Sequence, residues 1–170
     1  EHVSHLYDFL PGSDKLQTVI PDRKIDCAIA LDCGDKYRLG RKMNDLLQFH
    51  PFIVIDHHAG HNKFGDYSWV EPNRGSTAEM IYDLVCQVTS RLSYQAAYCL
   101  YTAIVSDTGS FKYSATTSDT FRIAEKLVAK GIKPAEVSGK LFDNFSISRL
   151  ELLQLCLSTL KLYEDNKIGI

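Results

Sequence analysis

Residues 52–62 read FIVIDHHAGHN: four apolar residues, then an aspartate, two histidines and a polar turn. A short apolar, β-branched run that follows a proline (Pro51) and stops at polar residues predicts a strand buried on both faces. About 20 residues upstream, IDCAIALD (25–32) has the same character and runs into Gly34. The stretch between them, KYRLGRKMNDLLQF (36–49), reads as a helix with Gly40 as its weak spot. Strand, helix and strand in this order predict a βαβ unit and hence an α/β fold, a parallel sheet flanked by helices.

The segments on either side extend that reading. The first 24 residues are turn-rich, punctuated by Pro11-Gly12 and Pro21-Asp22. YSWV (67–70) is a short candidate strand. STAEMIYDLVCQV (76–88) opens as a capping box from Ser76 to Glu79 and carries Ile81, Leu84, Val85 and Val88 on one face. SYQAAYCLYTAIVSD (93–107) is apolar almost all round and predicts a central buried helix. Further helices are expected at 118–130 with a stop at Gly131, from Pro134, and from Ser148 with Glu151 completing a second capping box; the tail LKLYEDNKIGI reads as a hairpin.

Composition bounds the function. The chain has 170 residues, 45% of them hydrophobic, which fits one globular domain with a real core. A net charge of −2 and the absence of a basic cluster exclude a long duplex nucleic acid as partner but leave a small phosphorylated ligand open. No apolar run approaches the roughly 20 residues of a membrane span. The five cysteines form no C-x-x-C pair, and all but Cys33 sit in apolar patterns; buried, reduced thiols in a cytoplasmic protein are expected.

Three aspartates each end an apolar element: Asp32 ends CAIALD, Asp56 ends FIVID, and Asp107 ends YTAIVSD. In open α/β sheets ligands bind beyond the carboxyl ends of the strands, where Asp32 and Asp56 would lie side by side. His57 and His58 follow, and in an extended backbone they point opposite ways, so only one of them is expected to join Asp32. Carboxylates gathered without a cation repel, whereas a divalent ion accepts mixed oxygen and imidazole ligands. Taken singly, each aspartate reads as a turn-former and each histidine as a solvated side chain; their coincidence in one small domain points to metal. Gly109 and Ser110 in SDTGSFKYS could turn their amides to an anion, and Phe111 and Tyr113 could stack a base or simply belong to a half-buried strand. NRGSTAE (73–79) offers a phosphate the N-terminus of a helix, with Arg74, Ser76 and Thr77, and reads equally as an ordinary capped helix.

VIDHH with Asn62 beyond it, ALDCGD (30–35) before it and VSDTGSF (105–111) after it resemble three motifs of the DHH phosphoesterase family, in that family's order and spacing. FLPGSD, NKFGDYSWVEPNRGSTAEMIYDL and YTAIVSDTGSFKYSATT are similar to its nano-RNase and phosphoadenosine-phosphate phosphatase branch (NrnA-like, related to RecJ). The resemblance implies a metal-dependent phosphoesterase that cleaves short oligonucleotides or 3′-phosphoadenosine 5′-phosphate by means of metal-activated water. Two manganese ions are implied, with magnesium or cobalt as substitutes. Asp32, His57 and Asp107 would be metal ligands, Asp56 and His58 catalytic residues, and Asn62 a substrate or supporting contact. Within the superfamily the alternatives are a cyclic-dinucleotide phosphodiesterase, a single-strand exonuclease or a pyrophosphatase; outside it, a non-catalytic nucleotide-binding module. The family's first motif, an Asp-x-Asp on an opening strand, does not occur, because HVSHLYD (2–8) contains no such pair; nor does its glycine-rich substrate-binding domain. Residues 1–170 are therefore expected to be an internal part of the catalytic domain, inactive by itself, with a homodimer compatible.

Overall fold

The computed structural model describes residues 4–89, 91–143 and 146–169; His2 and Val3 of HVSHLYD and Ile170 of the tail lie outside them. Three parallel strands, β1 (Ala28–Leu31), β2 (Phe52–Asp56) and β3 (Tyr67–Val70), form a sheet in the order β1-β2-β3. Ala28 pairs with Phe52 and Leu31 with Ile55, so both strands end at the same level. That register places Asp32 and Asp56 at the same edge of the sheet, as expected.

The two faces of the sheet are covered unequally. Ala30, Phe52 and Val54 are buried on one face beneath Leu39, Leu46, Leu47 and Phe64. On the other, Ile55 is buried, but Ile29 and Leu31 are 56% and 51% exposed. β1 is thus not buried on both faces, and it starts at Ala28 rather than Ile25: it pairs only with β2 among the described residues, and that ladder begins at Phe52.

The connection between β1 and β2 also differs from the expected helix. Lys36–Lys42 is a 3-10 helix broken at Gly40 (φ 77°, ψ −157°), and only Met43–Leu46 (α1) is α-helical. The left-handed φ at Gly40 costs a residue with a Cβ roughly 1–2 kcal/mol, so glycine there redirects the chain instead of merely weakening a helix.

The remaining helices are α2 (Thr77–Val88), α3 (Tyr94–Asp107), α4 (Ser118–Val128), α5 (Pro134–Phe142) and α6 (Ile147–Ser158). α3 is central: its Ala97, Tyr98, Tyr101, Ile104 and Val105 form the main core with Ala78 of α2, Ile123, Ala124 and Leu127 of α4 and Val137 and Leu141 of α5. Two expected capping boxes are replaced. Ser76 caps α2 without a side-chain hydrogen bond, and the Glu79 carboxylate instead accepts from Thr120 Oγ1 at 2.7 Å, joining α2 to α4. α6 is capped by Ser146, whose hydroxyl accepts from Arg149 N, and not by Ser148. A box does form at α4, between Thr117 and Thr120.

β4 (Leu162–Tyr163) and β5 (Ile168–Gly169) make the expected hairpin. Every described residue from Ser146 onward is exposed, including Leu150, Leu153, Leu155 and Leu157 of α6. The expectation for the cysteines is reversed: Cys33 is buried, whereas Cys27, Cys86 and Cys156 are exposed, because apolar neighbours in sequence need not share a face. All five thiols are free. No helix among the described residues is long and apolar enough to cross a membrane.

Leu127, fully buried, should lose about 3 kcal/mol of stability on replacement by alanine. Leu155→Ala on exposed α6 should change it by less than about 0.5 kcal/mol, both read from urea unfolding followed by the fluorescence of Trp69.

Candidate metal centre

Asp56, the last residue of β2, is fully buried. Its Oδ1 accepts from His58 Nδ1 at 2.7 Å and its Oδ2 from His61 Nδ1 at 2.8 Å. Burial pushes this carboxyl up, but the two imidazole hydrogen bonds outweigh it and hold the group below the ordinary carboxylate range. His58 therefore has one ring nitrogen committed, and its Nε2 lies 3.5 Å from Arg38 Nη1.

His57 is held from the opposite side. Its Nδ1 donates to the Arg74 carbonyl at 3.0 Å, which leaves Nε2 facing Asp107 Oδ2 at 3.0 Å and Asp32 Oδ1 at 3.6 Å. The hydrogen bond with Asp107 is the main cause that lifts the imidazole to about 9, against the effect of burial, helped by the Arg74 carbonyl and the charge of Asp32. Asp32 has a left-handed backbone (φ 58°) and accepts from Thr77 Oγ1 at 2.8 Å.

Asp32, His57 and His58 each offer an atom within 4.8 Å of the others. The expectation that only one histidine would approach Asp32 is not met: β2 ends at Asp56, strand alternation stops there, and the two rings lie 4.9 Å apart. His58 Nδ1 is bonded to Asp56, whereas Asp32 and Asp107 both face His57 Nε2, so these two carboxylates and the His57 ring stand together with His58 beside them. Two carboxylates around an imidazole whose far nitrogen is anchored to a backbone carbonyl match the donor chemistry of a divalent-ion site.

The expected substrate contacts divide. Ser76 and Thr77 stand beside Asp32 and Asp107 on the wall of a largely apolar cavity of about 490 Å³. Ser76 Oγ is buried with no hydrogen-bond partner among the described residues. Arg74 is turned away, its guanidinium paired with Glu71 Oε2 and Asp83 Oδ2 at 2.7 Å each; Glu71 also accepts from Trp69 Nε1. Asn62 donates to Asp35 Oδ2 at 2.6 Å and from its backbone to Gly34, fastening the loop after β2 to the loop after β1.

The amides of Gly109 and Ser110 donate to Ser106 and Val105 carbonyls at the end of α3, so they are not presented to an anion. Phe111 stacks on Phe121 at 5.2 Å and is engaged in the core, not free for a base. Tyr113 is 60% exposed, with its ring packed over Gly109, where a Cβ would collide with it. Sequence reasoning missed His61, the tie from Thr77 to Asp32, and Arg38. A signal for Arg38 was present, since it stands six residues beyond Asp32 in LDCGDKYR.

The model of the "DHH family, N-terminal domain" matches residues 3–104. The chain belongs to the DHH family. It is 35% identical over 89 residues to the "Bifunctional oligoribonuclease and PAP phosphatase NrnA" of Thermus thermophilus and 34% identical over 94 residues to the protein of that name from Bacillus subtilis. It covers 28% and 30% of their lengths, and they match 52% and 54% of this chain. A solved exopolyphosphatase-related protein of Bacteroides fragilis superposes on 95% of this chain and 51% of its own, with a TM-score of 0.84 at 27% identity. DHH phosphoesterases depend on metal, and the Asp/His cluster at the ends of β1 and β2 is where this DHH chain can hold it.

In metal-free protein the raised His57 value makes stability depend on pH. The folded value, about 9, lies above the ordinary 6.5, so the contribution is complete below pH 6.5 and is lost as pH rises through 9. Because Asp32 and Asp107 are 48% and 39% exposed, it should amount to about 1–2 kcal/mol after screening. Urea midpoints measured in chelator between pH 6 and 9.5 should fall accordingly, and Asp107→Asn should flatten the profile.

Proposed function

We propose that this chain is the catalytic part of a metal-dependent phosphoesterase that hydrolyses short oligonucleotides or 3′-phosphoadenosine 5′-phosphate. The convergence of Asp32, His57 and Asp107, with His57 Nδ1 anchored on Arg74, supports this reading most directly. The printed activities of its NrnA relatives support the substrate class. Because the chain spans only about a third of those relatives, we place it within a longer enzyme in which further ligands join this set.

Asp32, His57 and Asp107 would hold a divalent ion, and manganese suits their mixed donors, with magnesium or cobalt able to replace it. Such an ion supplies Lewis-acid polarisation of a phosphate and an acidified water. The protein's own residues do the rest. Asp56 holds a proton on His58 Nδ1 and so orients the ring, whose imidazolium form would donate from Nε2, beside Arg38, to a phosphate oxygen. Thr77 orients the Asp32 carboxylate by donating to Oδ1, the oxygen that faces His57. Ser76 Oγ, otherwise unpartnered, reaches the phosphate from the N-terminus of α2. The free thiols accord with a cytoplasmic, reducing setting.

Calorimetric titration of Mn²⁺ into this chain should show saturable binding that Asp107→Ala and His57→Ala remove. Thr77→Val should weaken it about tenfold, as removal of a hydrogen bond to a ligand usually does. In the full-length gene product, manganese-dependent release of phosphate from 3′-phosphoadenosine 5′-phosphate should disappear with Asp32→Asn. Retained hydrolysis in that variant, or cleavage of pyrophosphate alone, would overturn the reading.

A further inference from the structure

Away from the aspartate and histidine cluster, a second cavity of about 880 Å³ lies between residues 17–28 and 38–49. Its volume is within the roughly 300–1,000 Å³ of ligand sites. Arg38, Arg41 and Lys42 line it, and no aspartate or glutamate does. None of these three cations has a carboxylate partner among the described residues, in a chain whose net charge is negative. Arg38, Arg41 and Lys42 stand on either side of the kink at Gly40, and all three line this one space. Apolar walls complete it, among them Ile20, Pro21 and Phe49.

Arg38 belongs to both places. It lines this cavity, and its Nη1 lies 3.5 Å from His58 Nε2, next to the candidate metal centre. A ligand whose phosphate is gripped at His58 and Arg38 therefore has a cationic, partly apolar recess directly beside it. Guanidinium and ammonium groups without carboxylate partners favour a further phosphate, and an aromatic wall favours a base, which stacks on it.

We propose that this cavity is a second phosphoester subsite: it takes a phosphate joined through a ribose to the one held at His58. The inference rests on the phosphoesterase reading and refines its substrate. Two sources carry this chemistry: the other phosphate of 3′-phosphoadenosine 5′-phosphate, or the next nucleotide of an oligonucleotide. Phe49 distinguishes them, because only the oligonucleotide brings a second base.

The test compares three slowly hydrolysed phosphorothioate ligands in Mn²⁺: an adenosine monophosphate, the bisphosphate and a 5′-phosphorylated diadenosine. Affinities are measured by competition against a fluorescent dinucleotide. In wild-type protein both two-phosphate ligands should bind at least tenfold more tightly than the monophosphate. In Arg41→Ser/Lys42→Ser that advantage should disappear, and log affinity should fall less steeply with log salt, by about 0.7 for each lost phosphate contact. Phe49→Leu should weaken the dinucleotide several-fold relative to the bisphosphate if the cavity receives a base, and should affect both alike if it receives the phosphate alone. Equal affinity of all three ligands in wild type, or an equal effect of the double substitution on all three, would overturn the subsite while leaving the phosphoesterase reading in place. Failure of wild type to bind any of them would overturn both.

Discussion

A carboxylate that is fully buried at the end of a strand has to be satisfied, and Asp56 is satisfied by two imidazoles. An isolated charge in that position would cost several kcal/mol, so the hydrogen bonds from His58 and His61 are a condition for β2 to end where it does. They also determine the path of the chain that follows. With both rings turned back on Asp56, residues 57–62 fold over the strand end and bring Asn62 to Gly34 and Asp35. One buried group thus sets the positions of His58 and His61 and ties the loop behind Asp32 to the same edge.

The helical part of the molecule supplies the opposing half of the site. The turn before α2 presents a carbonyl to His57, and α2 itself presents Thr77 to Asp32, while α3 ends at Asp107. These contributions hold their places through polar ties: part-buried Arg74 between Glu71 and Asp83, and buried Glu79 against Thr120. Burial raises the Glu79 carboxyl above its ordinary value although Thr120 and the Gly75 amide donate to it. The helix bearing Thr77 is thereby joined to α4 through a group that water does not reach.

The parallel sheet, the helices from Thr77 to Phe142 and the three aspartates were legible in the sequence because each follows from a local pattern: an apolar run that stops at an acid, or a helical period with a capping residue. What escaped depended on contacts between distant positions. Thr77 meets Asp32 across 45 residues, and Glu79 meets Thr120 across 41, which turns an apparent capping box into a bond between helices. Phe111 and the amides of Gly109 and Ser110 carried a suitable local signal but are engaged by α3 and the core. Arg38, Arg41 and Lys42 of KYRLGRK line one cavity only because the distant segment 17–28 closes its other side, which no local pattern reports.

The exposure of α6 has a consequence for cooperativity. A helix of 12 residues gains little from propensity alone in water, and the leucines of this one are not covered. Its backbone amides should exchange with solvent far sooner than those of α3 or α4, which open only when the main core does. The single tryptophan, Trp69, reports on the sheet and the turn beside the site, whereas circular dichroism sums over every helix, α6 included. Heating or urea will therefore give two curves that do not coincide, the dichroic one falling first, so the chain melts as a tightly coupled body carrying a loosely coupled arm.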